Sequence, residues 1–420
     1  MTTSPKLRQV APPAFPEGFD FTDPALMERG MPVEHFATLR RSAPVWWNSQ
    51  DPDRGGGFRD GGYWVISKHA HIREISRDPQ AWSSHDNGCV MRYANDVPPE
   101  QLEAAKVLMH NSDPPVHTRL RKLISRMFTP RNVAALEASL SESARLIAAE
   151  AAARDEGDFV EDVARRLPMK AIADLVGFPA EDYEQLFGWS DAMMGSEDPK
   201  YAAESMNAMV ELIGYSYLLA EHRKRQPADD IITRLVTAGE DGDELSEMEF
   251  GYFIVLLITA GNETTRNAIS IGMQTLLDNP AQWELYKKAR PVTAADEIIR
   301  WASPVNAFQR TARRDTELGG VMIHRDQRVG LFYGSANYDE DVFDDPFTFN
   351  IERNPNPHLG FGGTGPHYCI GASLARKEIA VMLNAIADQI PDIEMIGEPT
   401  RARSGWINGI ATMPVRFKAR

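Results

Sequence analysis

The stretch HLGFGGTGPHYCIGASLAR, residues 358–376, decides how the rest of this 420-residue chain is read. It holds G-F-G-G-T-G, a literal match to the G-x-G-x-x-G of dinucleotide-binding loops, and one of only two cysteines, Cys369. A phosphate loop of that kind needs a buried strand before it and a helix after it, within a βαβ unit. Here the preceding residues are NPNPHLG, with two prolines and no apolar alternation. Such a segment cannot run through the middle of a sheet, because each proline removes a ladder donor. The dinucleotide reading falls.

What remains is a loop that presents a thiolate. Gly363, Gly365 and Gly371 let the backbone pass close to a flat object while a side chain projects from a loop just ahead of a helix. Cys369 stands at the start of that helix, where unpaired N–H groups and the dipole favour the ionised sulfur. A thiolate so placed is a soft ligand for iron. Cys89 has no such surroundings and reads as a small buried hydrophobe.

Composition bounds the alternatives. Hydrophobic residues make up 43% of the chain, enough for a large core, and the formal charge is −15. That charge argues against nucleic acid as the main partner, since phosphate contacts need a basic surface. Residues 9–21 are Pro-rich without an apolar core segment, so no secretory signal is read. The longest apolar run, about 252–261, falls far short of the ~20 residues that span a bilayer. Two isolated cysteines give no disulfide framework. The expectation is a reduced, cytoplasmic protein without a transmembrane segment.

Along the chain, residues 1–20 read as a loosely attached lead-in and 21–420 as a single domain. Strand-like PVWWN (44–48) and YWVIS (63–67) flank a Gly-rich turn. Residues 100–300 are mostly helical in pattern, including an Ala-rich amphipathic helix at 135–153 and one long helix over 245–279. Ser246 and Glu249 predict a capping box at its start. Strand-like segments return after Trp301, and a last helix is predicted over 370–391, before a hairpin. The fold class is mainly α with a smaller β part.

The string Gly363-Thr364-Gly365-Pro366-His367-Tyr368-Cys369-Ile370-Gly371 resembles the haem-binding loop of the cytochrome P450 monooxygenases. The usual aromatic lies seven residues before the cysteine. That position is Gly362 here and the aromatic is Phe361, so the loop carries one extra residue. Three further motifs agree in order. Ala260-Gly261-Asn262-Glu263-Thr264-Thr265 breaks an apolar helix with small and polar residues, a costly choice in a buried helix. The resemblance implies that Ala260 and Gly261 leave room over the haem, while Glu263 and Thr264 deliver protons to dioxygen. Glu297-Ile298-Ile299-Arg300 resembles the family's E-x-x-R, whose charges share a helix face. Its usual third partner is a Thr here, and Arg353 is the expected substitute. Asp113-Pro114-Pro115-Val116-His117-Thr118-Arg119-Leu120-Arg121 resembles D-P-P-x-H-x-x-x-R. It implies that His117 and Arg121, with Arg310 and His367, hold the haem propionates.

The resemblance runs over about residues 20–415 and implies the family's helical prism, with a long distal helix across the haem. Within the family, the strings PEGFDFTDP, APVWWN, GGGFRDGGYW, HTRLRKLISRMFTPR, AGNETTRN, QWELYKK, ADEIIRWASPV, NPNPHLGFGGTG and RSGWINGI are similar to actinobacterial steroid side-chain monooxygenases, which oxidise a terminal methyl. The implied reaction inserts one oxygen atom from O2 into an unactivated C–H of a sterol-like substrate. Haem b serves as cofactor, and electrons come from NAD(P)H through a ferredoxin reductase and a ferredoxin. Phe253, Leu256, Ala260, Val305 and Trp406 are the expected substrate walls. Arg119, Arg121, Lys122, Arg126 and Arg131 form a cationic strip that suits an acidic ferredoxin. The alternatives are a monooxygenase of a terpenoid or another lipid, a peroxide-using haem–thiolate enzyme, and a Cys-ligated haem sensor that does no chemistry.

Overall fold

The computed structural model describes residues 13–418 apart from 54–55, 94–96, 98, 126, 195–203, 228–230 and 238–244. Helices dominate, with a smaller sheet part. The longest helix, Glu247–Asp278, opens on the expected capping box: the Glu249 N–H donates to Ser246 Oγ at 3.2 Å, and the Ser246 N–H donates to Glu249 Oε2 at 2.9 Å. It ends where Asn279 leads into Pro280, which cannot continue the helix. Apolar residues lie nearly all round it, so it is buried through the centre of the molecule. Helices Arg166–Val176, Tyr183–Met194, Ser205–Arg225, Ala294–Ala302 and Ala372–Gln389 pack on it. Among the described residues, no helix is long and apolar enough to cross a membrane.

The Ala-rich helix runs Pro130–Ala152 and so begins five residues before its expected start at 135. Thr129 caps it by accepting from the Asn132 N–H at 3.3 Å, and Pro130 supplies a preset first turn. This helix packs along the last one, Ala372–Gln389, which carries the chain out of the cysteine loop.

The five-stranded sheet has the order Val45–Ser49, Gly62–Ile66, Arg328–Phe332, Ala307–Ala312, Trp82–Ser83. Only Gly62–Ile66 and Arg328–Phe332 pair in parallel. The sheet therefore joins the two ends of the sequence. Arg328, fully buried in it, donates to Gln50 Oε1 and Gln309 Oε1 at 2.7 and 3.0 Å and lies 3.9 Å over the Phe58 ring. Residues 13–20, expected as a loose lead-in, are docked here instead. Phe15 stacks on Phe19 at 4.6 Å and meets Trp46 edge-on at 5.0 Å, because the aromatics find a shared apolar surface. The lead-in's residues 1–12 lie outside the described residues.

Glu297 and Arg300 are both fully buried and joined twice, at 2.7 and 2.8 Å. Arg300 also donates to the carbonyls of Asn337 and Pro346 at 2.8 and 2.9 Å. Glu297 accepts from the Asn350 N–H at 2.9 Å and from Asn356 Nδ2 at 3.1 Å. One buried ion pair thus pins the irregular segment that leads into the cysteine loop, where strand or helix ladders are absent.

Candidate active site

The cysteine loop folds back on itself. The Cys369 N–H donates to the Phe361 carbonyl at 2.9 Å, closing the span 361–369. Positive φ at Gly362 (98°) and Gly365 (87°) makes the turns possible, and the extra residue is taken up at Gly362. Phe361 keeps its place beside the loop, with the Arg376 guanidinium 4.5 Å over its ring. Two of the glycines also make a close contact within the protein. A Cβ on Gly363 would lie 2.3 Å from Ser76 Oγ, and one on Gly365 would lie 2.1 Å from the Ser76 carbonyl. They let the loop press closely on helix His69–Arg77. Gly371 does lie beside the sulfur, its Cβ direction 3.9 Å from Cys369 Sγ.

Cys369 has open surface, and it faces a cavity of about 810 Å3. Enclosure by protein raises the thiol's pKa, while the Gly371 N–H and the Arg121 and Arg376 charges pull it down. The wall opposite is the long helix. Ala260, Gly261 and Thr264 line the cavity, and the Thr264 hydroxyl donates to the Ala260 carbonyl at 2.7 Å. Gly261 has a packing reason as well: a Cβ there would sit 2.6 Å from Ile172 Cδ1.

Glu263 is elsewhere. It is buried on the helix flank, outside the cavity lining, and paired with Arg266 at 2.5 Å. Asn267 Nδ2 donates to its other oxygen at 2.8 Å, and Arg266 also holds Asp191 at 2.9 Å. The acid next to Thr264 in sequence is therefore turned about a quarter-circle away from it, as 3.6 residues per turn dictates.

His117, Arg121, Arg310 and His367 converge on the cavity from a helix, a strand and the cysteine loop. The His117 and His367 rings are 4.2 Å apart. Burial first, then the Arg121 and Arg310 charges, lowers the His117 pKa to about 4. Burial and Arg310 lower that of His367 further. Among the described residues no carboxylate pairs with Arg121 or Arg310. Two enclosed arginines without a counter-ion fit a ligand that brings its own negative charge. Nor do the described residues hold a cluster of three or more His, Cys, Asp or Glu that could ligate a metal. A metal at Cys369 must then arrive with other ligands already attached. Both observations fit a flat, dianionic iron macrocycle, which is the haem the resemblance implies.

Phe253, Leu256, Val305 and Trp406 line the rest of the cavity. A bridge between Val305 and Ile407, with the Asn306 N–H donating to the Trp406 carbonyl at 2.8 Å, docks the terminal hairpin there. Trp406 lies 5.8 Å from Phe308. Several lining residues were not expected. Cys89 and His110 are two, and burial raises the former's pKa to about 12 and lowers the latter's to about 4. The Gln309 N–H donates to the Cys89 carbonyl at 2.7 Å and the His110 ring stacks on Phe308, contacts distant in sequence that no local periodicity marks. The cationic strip is thinner than the sequence suggests. Arg119 is paired with Glu249, Arg121 faces the cavity, and Arg126 lies outside the described residues. Lys122 and Arg131 stand exposed.

Comparison with known proteins agrees with this geometry. The cytochrome P450 family model matches residues 292–387. The chain is 57% identical over 412 residues to the steroid C26-monooxygenase of Mycobacterium tuberculosis, covering 98% of this chain and 95% of that one. It is 54% identical over 409 residues to the Rhodococcus jostii steroid C26-monooxygenase, covering 97% and 87%. A Mycobacterium marinum cytochrome P450 solved with pseudoionone superposes with a TM-score of 0.87 at 36% identity, covering 97% of this chain and all of the other.

Proposed function

Because this chain belongs to the cytochrome P450 family, we propose that it is a monooxygenase that oxidises the alkyl terminus of a sterol. One observation carries the substrate class: likeness to steroid C26-monooxygenases extends over 98% of the chain, well past the cysteine loop. An apolar cavity of the kind that takes large lipophilic ligands supports it. The monooxygenase unit is proposed to be residues 21–420, acting in the cytoplasm.

Cys369 would hold the haem iron, and His117, Arg121, Arg310 and His367 the propionates. When bound, haem supplies the reductive activation of O2, with the thiolate favouring O–O cleavage. The chain does the rest. Thr264 holds a mobile proton at the cavity wall, since its hydroxyl can turn from the Ala260 carbonyl toward the cavity. Glu263 can reach it only by leaving Arg266, so its part is to gate proton entry from the flank. Phe253, Leu256, Val305 and Trp406 exclude water and aim the alkyl tail at the sulfur end, converting binding into position.

Electrons are proposed to come from NAD(P)H through a ferredoxin reductase and a ferredoxin docking near Lys122 and Arg131. The deciding experiment is spectral titration of the holoenzyme with cholestenone, followed by product analysis with surrogate ferredoxin and reductase. Terminal hydroxylation of the side chain is expected. Tight binding of a monoterpenoid without response to cholestenone would transfer the assignment to a terpenoid, the reading that likeness to the pseudoionone-bound neighbour favours. Binding of cholestenone without NADH-dependent product would favour a sensor.

A further inference from the structure

A second cavity, of about 290 Å3, lies apart from the one that Cys369 faces and shares no lining residue with it. Met31, Ile271, Trp301, Tyr338 and Phe347 wall it, and Arg401 reaches it from the strand Thr400–Arg401. Tyr338 stacks on Phe347 at 5.9 Å and meets Trp301 at 5.5 Å, so the aromatics make one continuous apolar wall. Phe347, 47% exposed, stands on its solvent side. The Tyr338 hydroxyl is engaged, donating to the Trp301 carbonyl at 2.9 Å.

Arg401 brings the charge. It is half-buried, and among the described residues no carboxylate pairs with it. Its Nη1 donates to Asn408 Oδ1 at 3.2 Å, while Nε and Nη2 have no acceptor among the described residues. Burial lowers its pKa, and the Tyr338 hydroxyl is the one group that acts against this. A guanidinium stays protonated all the same, so the cavity holds a cation with open donors beside an apolar wall. Residues 1–12 contain no Asp or Glu, so they bring no side-chain carboxylate to it. One guanidinium offsets one negative charge; a dianion would carry a second into apolar surroundings at a desolvation cost. At roughly 30 Å3 for a group the size of water, the volume takes about ten non-hydrogen atoms, too few for a sterol.

We propose that this cavity is a second binding site, for an amphiphilic monocarboxylate. The carboxylate pairs with Arg401 through the donors that the fold leaves open. The hydrocarbon chain lies along Trp301, Tyr338 and Phe347 and leaves water there. The site stands on its own residues and is independent of the sterol assignment.

The test is isothermal titration of the holoenzyme with octanoate. Wild type should bind one equivalent without a shift of the Soret band, since the cavity at Cys369 is not entered. Arg401→Gln should weaken binding about ten-fold or more, as loss of a charged hydrogen-bond donor does. Phe347→Ala, at an exposed position, should weaken it about three-fold. Acetate keeps the charge and 1-octanol keeps the chain, and each should bind at least about ten-fold more weakly than octanoate. No binding heat, wild-type affinity in either variant, equal affinity for 1-octanol, or a Soret shift that titrates together with the heat would overturn the proposal.

Discussion

Arg353 Nε lies 3.2 Å from Glu297 Oε2, and the same guanidinium donates to the carbonyls of Asp344, Asp345 and Thr348 at 2.6, 3.1 and 2.8 Å. It therefore occupies the place left by the Thr in Pro346-Phe347-Thr348-Phe349, reaching the buried carboxylate from five residues further along. A guanidinium can do this because its donors fan out in one plane and satisfy several carbonyls while still pairing with a carboxylate.

Removing that reach should weaken the fold around the cysteine loop. Arg353→Ala is expected to cost about 1–3 kcal/mol, the range for a lost hydrogen bond to a buried charge. Arg300→Leu should cost more, about 3–5 kcal/mol, because it strands Glu297 in the interior. Urea unfolding of both variants checks the order; equal stability of Arg353→Ala and wild type would remove Arg353 from the network.

The iron ligand is tested by the two cysteines against each other. Cys369→Ala should abolish the thiolate-type carbon monoxide difference spectrum, and Cys89→Ala should leave it intact although Cys89 also lines the cavity. A thiolate needs the pull of N–H groups and a metal. Burial leaves Cys89 a thiol, its pKa raised to about 12.

Thr264→Ala removes the one hydroxyl of the AGNETT segment that both lines the cavity and bonds back to its own helix. Sterol binding should stay within about two-fold, since no apolar wall is lost, while reducing equivalents divert to peroxide by a factor of about ten or more. Peroxide and product measured together against NADH consumed decide this, and unchanged coupling would remove Thr264 from proton delivery.

Trp406 is half-buried, packs on Phe308 and presents its ring to the cavity. A 3-oxo sterol should bind with micromolar affinity, about −8 kcal/mol. Trp406→Ala should weaken that about ten-fold, as loss of an aromatic anchor does. The spectral titration that tests the substrate class reads this directly, and unaltered affinity would make Trp406 a plain packing residue.

Glu378 lies buried on helix Ala372–Gln389 at the cavity wall, and its burial fixes the sign of one pH effect. Its folded-state pKa is raised, so the contribution to stability is full below the ordinary carboxylate range and is lost as pH rises toward the raised value. The stability gained by Glu378→Leu should therefore grow between about pH 5 and pH 8. A gain independent of pH would mean that the carboxyl ionises normally.

Much of this protein is written locally. The cysteine loop, the capping box at Ser246, the apolar length of the long helix and the i, i+3 pairing of Glu297 with Arg300 each depend on residues close in sequence, where spacing and helix geometry suffice. The strands near residues 45 and 330 were legible as strands, but not as parallel neighbours, because pairing across most of the chain leaves no periodic trace. The same limit hid a buried carboxyl on the cavity wall, Glu378, and the posture of Glu263. Glu263 stands beside Thr264 in sequence, yet the helix turns it toward Arg266. Glu378 stands more than a hundred residues away, and packing of two helices brings it to the wall that Thr264 faces. Sequence fixes which chemistry the side chains can do. Which of them share an enclosed, weakly solvated space is decided by packing, and that space sets whether a carboxyl is held as an ion-pair partner or disfavoured as an ion.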